Sequence, residues 1–305
     1  MKTTKLFYFV LSFFLCTGFS CSDDINTLLP GITKPPGNDK TAKKYLSKIT
    51  VTNNRTVKSV DFKYNEDNTL AKYSIVTTDN EEHLICSFSY DGTQRLSETK
   101  RYFENKLSET HTYKYLGDNT VEVSVIVAGS TVHPKPYIYT LNDKGFPVRS
   151  IREESTFEIG SSIIGYSKIK KEYFYNTDNT LSKLKIADSY MESMEYNIYA
   201  FTYEEDTFNP FNNLPSGNFY LYDNALFEKD VPITGIGSLV ANCSTFELEA
   251  TALTRTTYPE KYIMTYEYGD DKFPVKARME THLRFEKIET CDFKFEYITK
   301  RTDSK

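Results

Sequence analysis

Several residue types are scarce in this 305-residue chain, and the shortages exclude whole classes of site. Tryptophan is absent, and the 4 histidines are His83, His111, His133 and His282. They form neither His-x-x-x-His nor His-Glu-x-x-His, the spacings with which a helix commonly holds zinc. We therefore predict no metal centre and no cofactor.

Cysteine is scarce as well, with 5 residues in the chain. Cys16 and Cys21 fall in the N-terminal segment, which leaves Cys86, Cys243 and Cys291. Their wide, irregular spacing fits no zinc motif. Two interpretations stay open: one disulfide with one free thiol, or thiols that are simply small buried apolar groups.

Motifs for catalysis are also missing. The chain contains no Gly-x-Ser-x-Gly elbow and no phosphate-binding glycine loop. Acids cluster at Glu153-Glu154 and Glu204-Glu205-Asp206, but neighbouring strand residues point to opposite faces and do not form a glycosidase pair by themselves. The sequence thus predicts a protein that is not an enzyme.

Two acid-rich turns look like calcium loops until their positions are counted. An EF-hand loop needs Gly at its sixth position and Glu at its twelfth. Counted from Asn65 these positions are Leu70 and Val76, and counted from Asn176 they are Leu181 and Ala187. Ordinary turn chemistry explains the Asn and Asp of both segments.

The charge balance argues against nucleic acid as a partner. The chain has 37 basic and 42 acidic residues. Removal of residues 1–20 takes away two lysines, which leaves 35 against 42 and a formal charge of -7. Phosphate binding requires a concentrated basic surface, whereas the lysines here are scattered among acids.

The N-terminus has the layout of an export signal. Lys2 and Lys5 precede the uncharged run 6–16, which is too short to span a bilayer, and small residues lead to Cys21. The Cys21-Ser22-Asp23-Asp24 start resembles that of Bacteroidetes-type surface lipoproteins. The resemblance implies cleavage before Cys21, lipidation of its thiol, and an export signal in Ser22, Asp23 and Asp24. It places the protein at the cell outer membrane, lipid-anchored and exposed on the surface.

Three segments follow from these signals. Residues 1–20 are the predicted signal peptide, residues 21–44 a lipidated cysteine and flexible tether rich in Pro and Gly, and residues 45–305 a single β-rich domain. A coil of the tether's length has an end-to-end distance of roughly 25 to 30 Å. The tether would hold the domain clear of lipid head groups.

A recurring phrase in the domain predicts β-hairpins. The chain contains 24 Tyr and 21 Phe, and alternating aromatic residues repeatedly run into turns of Asn, Asp and Gly. Tyr64, Tyr90, Tyr115 and Leu141 lie 26, 25 and 26 residues apart, about two strands and two turns each. In residues 121–125 the odd positions are apolar and the even ones polar, which indicates one covered face and one wet face.

These patterns predict an all-β antiparallel meander of repeated hairpins. It would form either a large curved sheet or a soluble porin-like barrel with its apolar side inward, since the mean hydropathy of -0.51 does not suit a lipid-facing barrel. The pattern loosens over residues 209–244, where we expect a loop excursion with a short helix near residues 218–227. The excursion is either a functional loop or a plug that covers the apolar face.

A wider resemblance rests on the lipoprotein start, the Tyr-x-Tyr hairpins, the Asn209-Pro210-Phe211 segment and the turn 268–274. Together these are similar to an uncharacterised Bacteroidetes family, a domain of unknown function described as having a porin-like fold. The hairpin phrase also resembles the tyrosine-aspartate repeats of wrapping toxins. The family implies a fold and brings no activity.

The expected function is a non-enzymatic binding module for a glycan or a protein partner at the cell envelope. Tyrosines are the candidate contact residues, because a flat ring with a hydroxyl suits both sugars and protein interfaces. No ligand-binding residue can be named from the sequence. The alternatives are a structural or assembly component of an outer-membrane complex and, less favoured, a glycan hydrolase.

Overall fold

The computed structural model describes residues 42–53, 57–76, 82–131, 134–159, 162–190, 193–214, 242–251, 260–283 and 286–301, and its regular elements there are all β-strands. The strands are β1 (Ala42–Thr52), β2 (Val57–Tyr64), β3 (Leu70–Val76), β4 (Glu82–Tyr90), β5 (Leu96–Phe103), β6 (Lys106–Tyr115), β7 (Thr120–Val127), β8 (Tyr137–Leu141), β9 (Pro147–Ile159), β10 (Ser162–Tyr175), β11 (Leu181–Tyr190), β12 (Ser193–Tyr203), β13 (Cys243–Thr251), β14 (Glu260–Tyr268), β15 (Pro274–Leu283) and β16 (Glu286–Arg301).

The strands form one closed antiparallel barrel. Each strand pairs with its neighbours in sequence, and β1 pairs with β16 to complete the circle of 16 strands. The predicted all-β meander is confirmed, and of its two forms the barrel is the one observed. β1 begins at Ala42, three residues before the predicted start of the domain at Tyr45.

The barrel has two different ends. At the turn end, short segments join each even-numbered strand to the next odd-numbered one, except for the longer connection from β12 to β13; β1 starts and β16 finishes there. The loop end carries the connections from odd to even strands. The predicted helix near residues 218–227, the signal peptide, most of the tether, and Cys21 to Asp24 lie outside the described residues.

Asn and Asp build the turns of the turn end by a repeated scheme. Asn68 and Asn179 each adopt a φ of 69°, a left-handed conformation that Asn tolerates better than most residues. Oδ1 of Asp67 accepts hydrogen bonds from the Thr69 amide at 3.1 Å and from its hydroxyl at 2.6 Å. Asp178 and Thr180 repeat the arrangement. These carboxylates are therefore engaged in the turns, as the turn interpretation predicts.

The predicted wet and covered faces are confirmed. Val121, Val123 and Val125 are 1%, 1% and 6% exposed and point inward, while Glu122 and Ser124 between them point outward. Outward positions elsewhere carry charge pairs: Lys48 with Asp61 at 3.7 Å, Lys261 with Glu247 at 2.9 Å, Lys276 with Glu267 at 2.8 Å, and Arg278 with Asp292 at 2.7 Å. A lipid-facing barrel puts an apolar band outward, so this barrel has the reverse arrangement.

Candidate ligand-binding lumen

A ring of tyrosines runs around the turn end inside the barrel. Each lies near the end of an even-numbered strand and donates its hydroxyl to a backbone carbonyl of the preceding odd-numbered strand. The donations are Tyr64 to Leu46 (2.6 Å), Tyr90 to Leu70 (2.9 Å), Tyr175 to Pro147 (2.8 Å), Tyr203 to Leu181 (2.8 Å), Tyr266 to Cys243 (2.9 Å) and Tyr297 to Pro274 (2.8 Å). At the same position of β6, the Tyr115 hydroxyl oxygen hydrogen-bonds the backbone of Leu96 in a contact that lowers its pKa, so here the oxygen is the acceptor. We call these residues the tyrosine ring.

The tyrosine ring assigns a structural role to the residues that the sequence singles out most clearly. Burial raises the pKa of Tyr115 to about 12 and raises the pKa of Tyr64 and Tyr297 further, so the hydroxyls stay protonated and can donate. Because each hydroxyl is held by backbone of the neighbouring strand, these tyrosines are fold residues. Residues outside the tyrosine ring must therefore supply any contact with a ligand.

The β8 position of the ring is occupied by leucine. Leu141 lies opposite Pro147, just as Tyr90 lies opposite Leu96 and Tyr175 opposite Leu181. The same spacing that marks Tyr64, Tyr90 and Tyr115 in the sequence also marks Leu141. The eight-hairpin circle is therefore chemically incomplete at one position.

Residues 209–214 close the turn end as a plug. The Phe211 side chain is 4% exposed, belongs to the main core, and meets the Phe62 ring with centroids 5.5 Å apart. Leu214 packs against the same core. Of the two interpretations of the excursion, the described part supports the plug; residues 215–241 lie outside the described part of the chain.

The inner surface differs between the two sides of the barrel. Over β1 to β8 most inward apolar side chains are closely packed, with Ile49, Val60 and Cys86 at 0% exposure, while Arg101 and Glu109 keep 16% and 31% exposure of their side chains. Over β11 to β14, Leu181, Cys243 and Met264 are buried, but a neighbouring group of inward side chains is only partly buried. We call the latter group the lumen wall; it comprises Leu184, Ile186, Tyr199, Phe201, Phe246 and Tyr262.

Aromatic rings dominate the lumen wall. Phe201, Phe246 and Tyr262 lie side by side on β12, β13 and β14. The Phe246 and Tyr262 rings are parallel within 6° with centroids 4.0 Å apart, and Phe201 follows at 6.1 Å from Phe246. The Tyr262 ring covers one face of the Phe246 ring, and the row forms an aromatic stripe on the inner surface. Apolar walls with a few polar groups are typical of ligand sites.

Polar inward residues adjoin the wall. In the register of β10, β11 and β12, Ile186 lies directly between Lys171 and Asn197. All three side chains are partly exposed. An ammonium and a carboxamide thus flank an aliphatic side chain on the inner surface, where they could bind hydroxyl groups of a ligand.

A chain of polar contacts crosses the inner surface over β5 to β9. The Arg101 guanidinium lies 3.2 Å from a Glu109 carboxylate oxygen, which is also 3.2 Å from Nε2 of His111. The Tyr137 ring follows, 6.5 Å from His111 between centroids, and the Arg152 guanidinium lies 4.4 Å from its centroid. The His111 hydrogen bond and the Arg101 charge lower the pKa of Glu109 to about 2. Within this polar chain the Glu109 carboxylate is paired with Arg101, and the Arg152 guanidinium contacts the Tyr137 ring.

The four histidines, considered as possible metal ligands, do not come together among the described residues. His111 joins the inner polar chain, His282 lies 3.4 Å from Glu280, the His83 ring meets Phe103, and His133 lies outside the described residues. Among the described residues, no group of three or more His, Cys, Asp or Glu could hold a metal ion.

The two acidic runs do not converge. Glu153 lies on the outer surface and pairs with Lys135 at 2.6 Å, while Glu204 accepts a hydrogen bond from the Tyr268 hydroxyl at the turn end. Cys86, Cys243 and Cys291 are free and buried, so no disulfide joins Cys243 to Cys291. No helix in the described part of the chain is long and apolar enough to cross a membrane.

Comparison with known proteins gives structural neighbours only. No protein-family model and no curated protein matches this chain. A porin-like protein from Bacteroides vulgatus ATCC 8482 matches with 11% identity and a TM-score of 0.39, over 83% of this chain and 99% of the other. One from Bacteroides uniformis ATCC 8492 matches with 12% identity and a TM-score of 0.37, over 83% and 96%. The likeness concerns the fold alone.

Proposed function

We propose that this protein is a lipid-anchored, non-enzymatic binding protein of the cell envelope that takes a glycan into its barrel. The observation that carries the proposal is the lumen wall, an aromatic inner surface left partly exposed while the opposite side is packed. A single sugar chain is far narrower than a folded protein and could approach this inner surface. A folded protein partner would contact the outside instead.

The chemistry of the wall supports a sugar over a purely apolar ligand. Sugar rings combine C–H edges with hydroxyl groups. The apolar rings of Phe201 and Phe246 offer hydrophobic contact to the former, and the polar side chains of Asn197 and Lys171 offer hydrogen bonds to the latter. Tyr199 lies opposite Leu248 on the same inner surface. Its ring offers a further aromatic contact to an entering sugar chain.

The anchor is proposed from the sequence, and the outer surface supports it. Among the described residues, charged pairs occupy outward positions of the strands, where a membrane barrel presents an apolar band. This supports attachment by a separate device. Lipidation of Cys21 supplies one. If the Cys21→Ala protein still partitions with membranes after a salt wash, this part of the proposal is wrong.

The binding test uses the mature chain with Cys21→Ala, which removes the predicted lipid. Thermal-shift and affinity-gel measurements against amylose, dextran, xylan, hyaluronan and chondroitin sulfate would detect a ligand, because binding to the folded state raises its apparent stability. A saturable shift with at least one polymer is expected. A flat result across this panel would contradict the glycan proposal.

Tyr199→Ala and Tyr196→Ala form a matched pair for locating the site. Both residues lie on β12, but Tyr199 faces inward while Tyr196 faces outward under the Lys185 ammonium, 4.9 Å from its centroid. Loss of an aromatic contact of about 1.4 kcal/mol weakens binding roughly tenfold. We expect this loss for Tyr199→Ala alone. Equal losses in both variants would place the ligand outside the lumen.

A second candidate function has an observation of its own. Leu107 on β6 and Ile126 on β7 point outward near the loop end and are 42% and 54% exposed. Exposed apolar groups of this kind favour a protein contact. They would support a role as an assembly component of an outer-membrane complex. Crosslinking in cells from the Ile126→Cys variant would detect such a partner.

A further inference from the structure

We infer that the barrel is a cup closed at the turn end, so that its lumen accepts the free end of a glycan chain and excludes an internal stretch. This inference rests on the proposed function, and it specifies which part of a glycan is recognised.

The closure begins with the packing of the turn half. Leu46 and Leu70 are 0% exposed, and Val121 and Leu181 are 1% exposed, although they lie on strands far apart around the barrel. Protein interiors packed to this degree have no space for a sugar ring. The turn half of the barrel is therefore solid.

The plug adds a second layer of closure. Asn209 is 8% exposed, and its Oδ1 accepts a hydrogen bond from the Phe211 amide at 2.9 Å. The plug leaves the barrel wall beside β12 and β13, and Phe211 reaches the Phe62 ring on β2. Because β2 lies six strands away from β12 by the shorter route, through the β1–β16 pair, the plug crosses the barrel mouth.

Hydrogen bonds fasten the plug and the residue before it to the rim of the barrel at separate points. The Phe208 amide donates to the Lys272 carbonyl at 3.1 Å, and the Asn242 carboxamide donates to the Phe208 carbonyl at 2.9 Å. On β1, further round the rim, the Lys44 carbonyl accepts a hydrogen bond from the Asn213 carboxamide at 2.9 Å. The plug does not leave without breaking these bonds.

The turns themselves are linked around the closed end. Gln94 donates to Asp67 at 3.3 Å, Asn119 to Asp143 at 3.1 Å, and Lys144 to Asn179 at 2.9 Å, each across neighbouring turns. Together with the tyrosine ring, these links keep the strands of the turn end from separating. The packed side chains of the turn half already block passage of a ligand through this end of the barrel.

The inner surface becomes accessible towards the loop end. On β16, Cys291 is 7% exposed, whereas Glu289, two residues nearer the loop end on the same face, is exposed. Arg101 on β5, five strands away from β16 around the barrel, also retains 16% exposure of its side chain. A ligand would enter from this side and advance only as far as the packed half.

A lumen with one entrance selects for chain ends. An internal stretch of polymer must pass both in and out of a site, which requires an open groove or a channel with two mouths. A terminus needs one entrance. Binding should therefore depend on the molar concentration of chain ends, whereas a groove binder would respond to total sugar mass.

The test compares each panel polymer with its own hexasaccharide. Isothermal titration of the Cys21→Ala mature chain with amylose, dextran, xylan, hyaluronan or chondroitin sulfate gives one dissociation constant for each form. For a polymer on the order of 600 units, the hexasaccharide carries about 100 times more ends at equal mass, and we expect it to bind about 100-fold tighter by mass and equally per chain end.

The possible outcomes separate the inference from the proposed function. Two results together would support the cup. The dissociation constants should be equal per chain end, and chemical capping of the terminal sugar at one of the two ends should abolish binding. Affinity that follows total sugar mass, or capped chains that bind as well as uncapped ones, would overturn it and leave a glycan-binding protein with an internal-chain site. Failure of all ten ligands to bind would overturn the proposed function itself.

Discussion

Tyr297 on the last strand lies directly opposite Leu46 on the first. The Tyr297 hydroxyl donates to Pro274 on β15, and the Leu46 carbonyl accepts from Tyr64 on β2. The pair thus continues the tyrosine ring across the closing seam of the barrel. The same relation holds for Tyr64 with Leu70 and for Tyr175 with Leu181. Closure of the barrel therefore uses a contact that also joins other hairpins.

Removal of one ring hydroxyl should destabilise the barrel measurably. In Tyr90→Phe the packing is kept, but the Leu70 carbonyl loses the donor that lies 2.9 Å away. A buried hydrogen bond of this kind contributes about 1 kcal/mol. Urea unfolding at neutral pH should show a lower midpoint with an unchanged slope.

The matched control for this change is Tyr102→Phe. Tyr102 lies on β5 outside the tyrosine ring and is partly exposed, so loss of its hydroxyl should alter the free energy of unfolding by less than about 0.5 kcal/mol. Equal effects in the two variants would mean that the ring hydroxyls add no more than ordinary surface groups.

Completion of the ring at its leucine position should stabilise the protein. Leu141→Tyr puts a phenol where the ring pattern places an acceptor carbonyl on β7. Leu141→Phe supplies the same ring without the hydroxyl. We expect the Tyr variant to exceed the Phe variant by about 1 kcal/mol in the free energy of unfolding. If both variants unfold at the same urea concentration, the geometry at β8 does not continue the ring.

Much of this architecture can be predicted from the sequence. The spacing of Tyr64, Tyr90, Tyr115 and Leu141 gives the hairpins, and the alternation of Val121, Val123 and Val125 gives the inward face. Both signals are local, because the turn and the strand period lie within a few residues of each other. Pro147 and Pro274 each begin a strand, a position where the missing amide donor is tolerated.

The closed barrel and its lumen could not be predicted in the same way. The pairing of Leu46 with Tyr297 joins residues at opposite ends of the domain, and no local pattern sets that register. Alternation identifies inward residues without telling packed ones such as Val60 from partly exposed ones such as Ile186. A usable signal for the polar chain did exist, since Arg101 and Glu109 are charged residues at inward positions.

Truncation of Phe211 should lower the free energy of unfolding far more than truncation of Phe208. Phe211 is 4% exposed in the core, whereas Phe208 is 41% exposed and meets Phe273 at 5.3 Å between centroids. Loss of a buried Phe side chain costs about 3 to 5 kcal/mol, and we expect that for Phe211→Ala in urea unfolding. For Phe208→Ala we expect less than about 1 kcal/mol; a reversed order would show that the plug does not occupy the core.

The three free thiols should be unreactive in the folded protein. Burial raises the pKa of Cys86 to about 12 and raises the pKa of Cys243 and Cys291, and the thiolate is the reactive form. Maleimide labelling of the Cys21→Ala mature chain, read by mass spectrometry, should add no label at neutral pH. All three thiols should label in urea without a reductant; a single label there would reveal a disulfide.

The Glu109 carboxylate should make the free energy of unfolding depend on pH in the acid range, through its contacts with Arg101 and His111. The hydrogen bond from His111 and the Arg101 charge hold its pKa at about 2, below the usual value of about 4.3 for glutamate in unfolded chains. A depressed carboxyl pKa contributes stability that is fully present above the unfolded value and is lost as the pH falls through the folded one. The difference in free energy of unfolding between the native protein and Glu109→Gln should therefore be largest above about pH 5 and shrink towards pH 2. Glu98→Gln removes an outer-surface pair with Lys100 at 2.7 Å, an exposed contact that contributes little to stability, and serves as the control. A Glu109→Gln difference that stays constant from pH 7 to about pH 2 would show that the carboxylate charge does not act on Arg101 and His111.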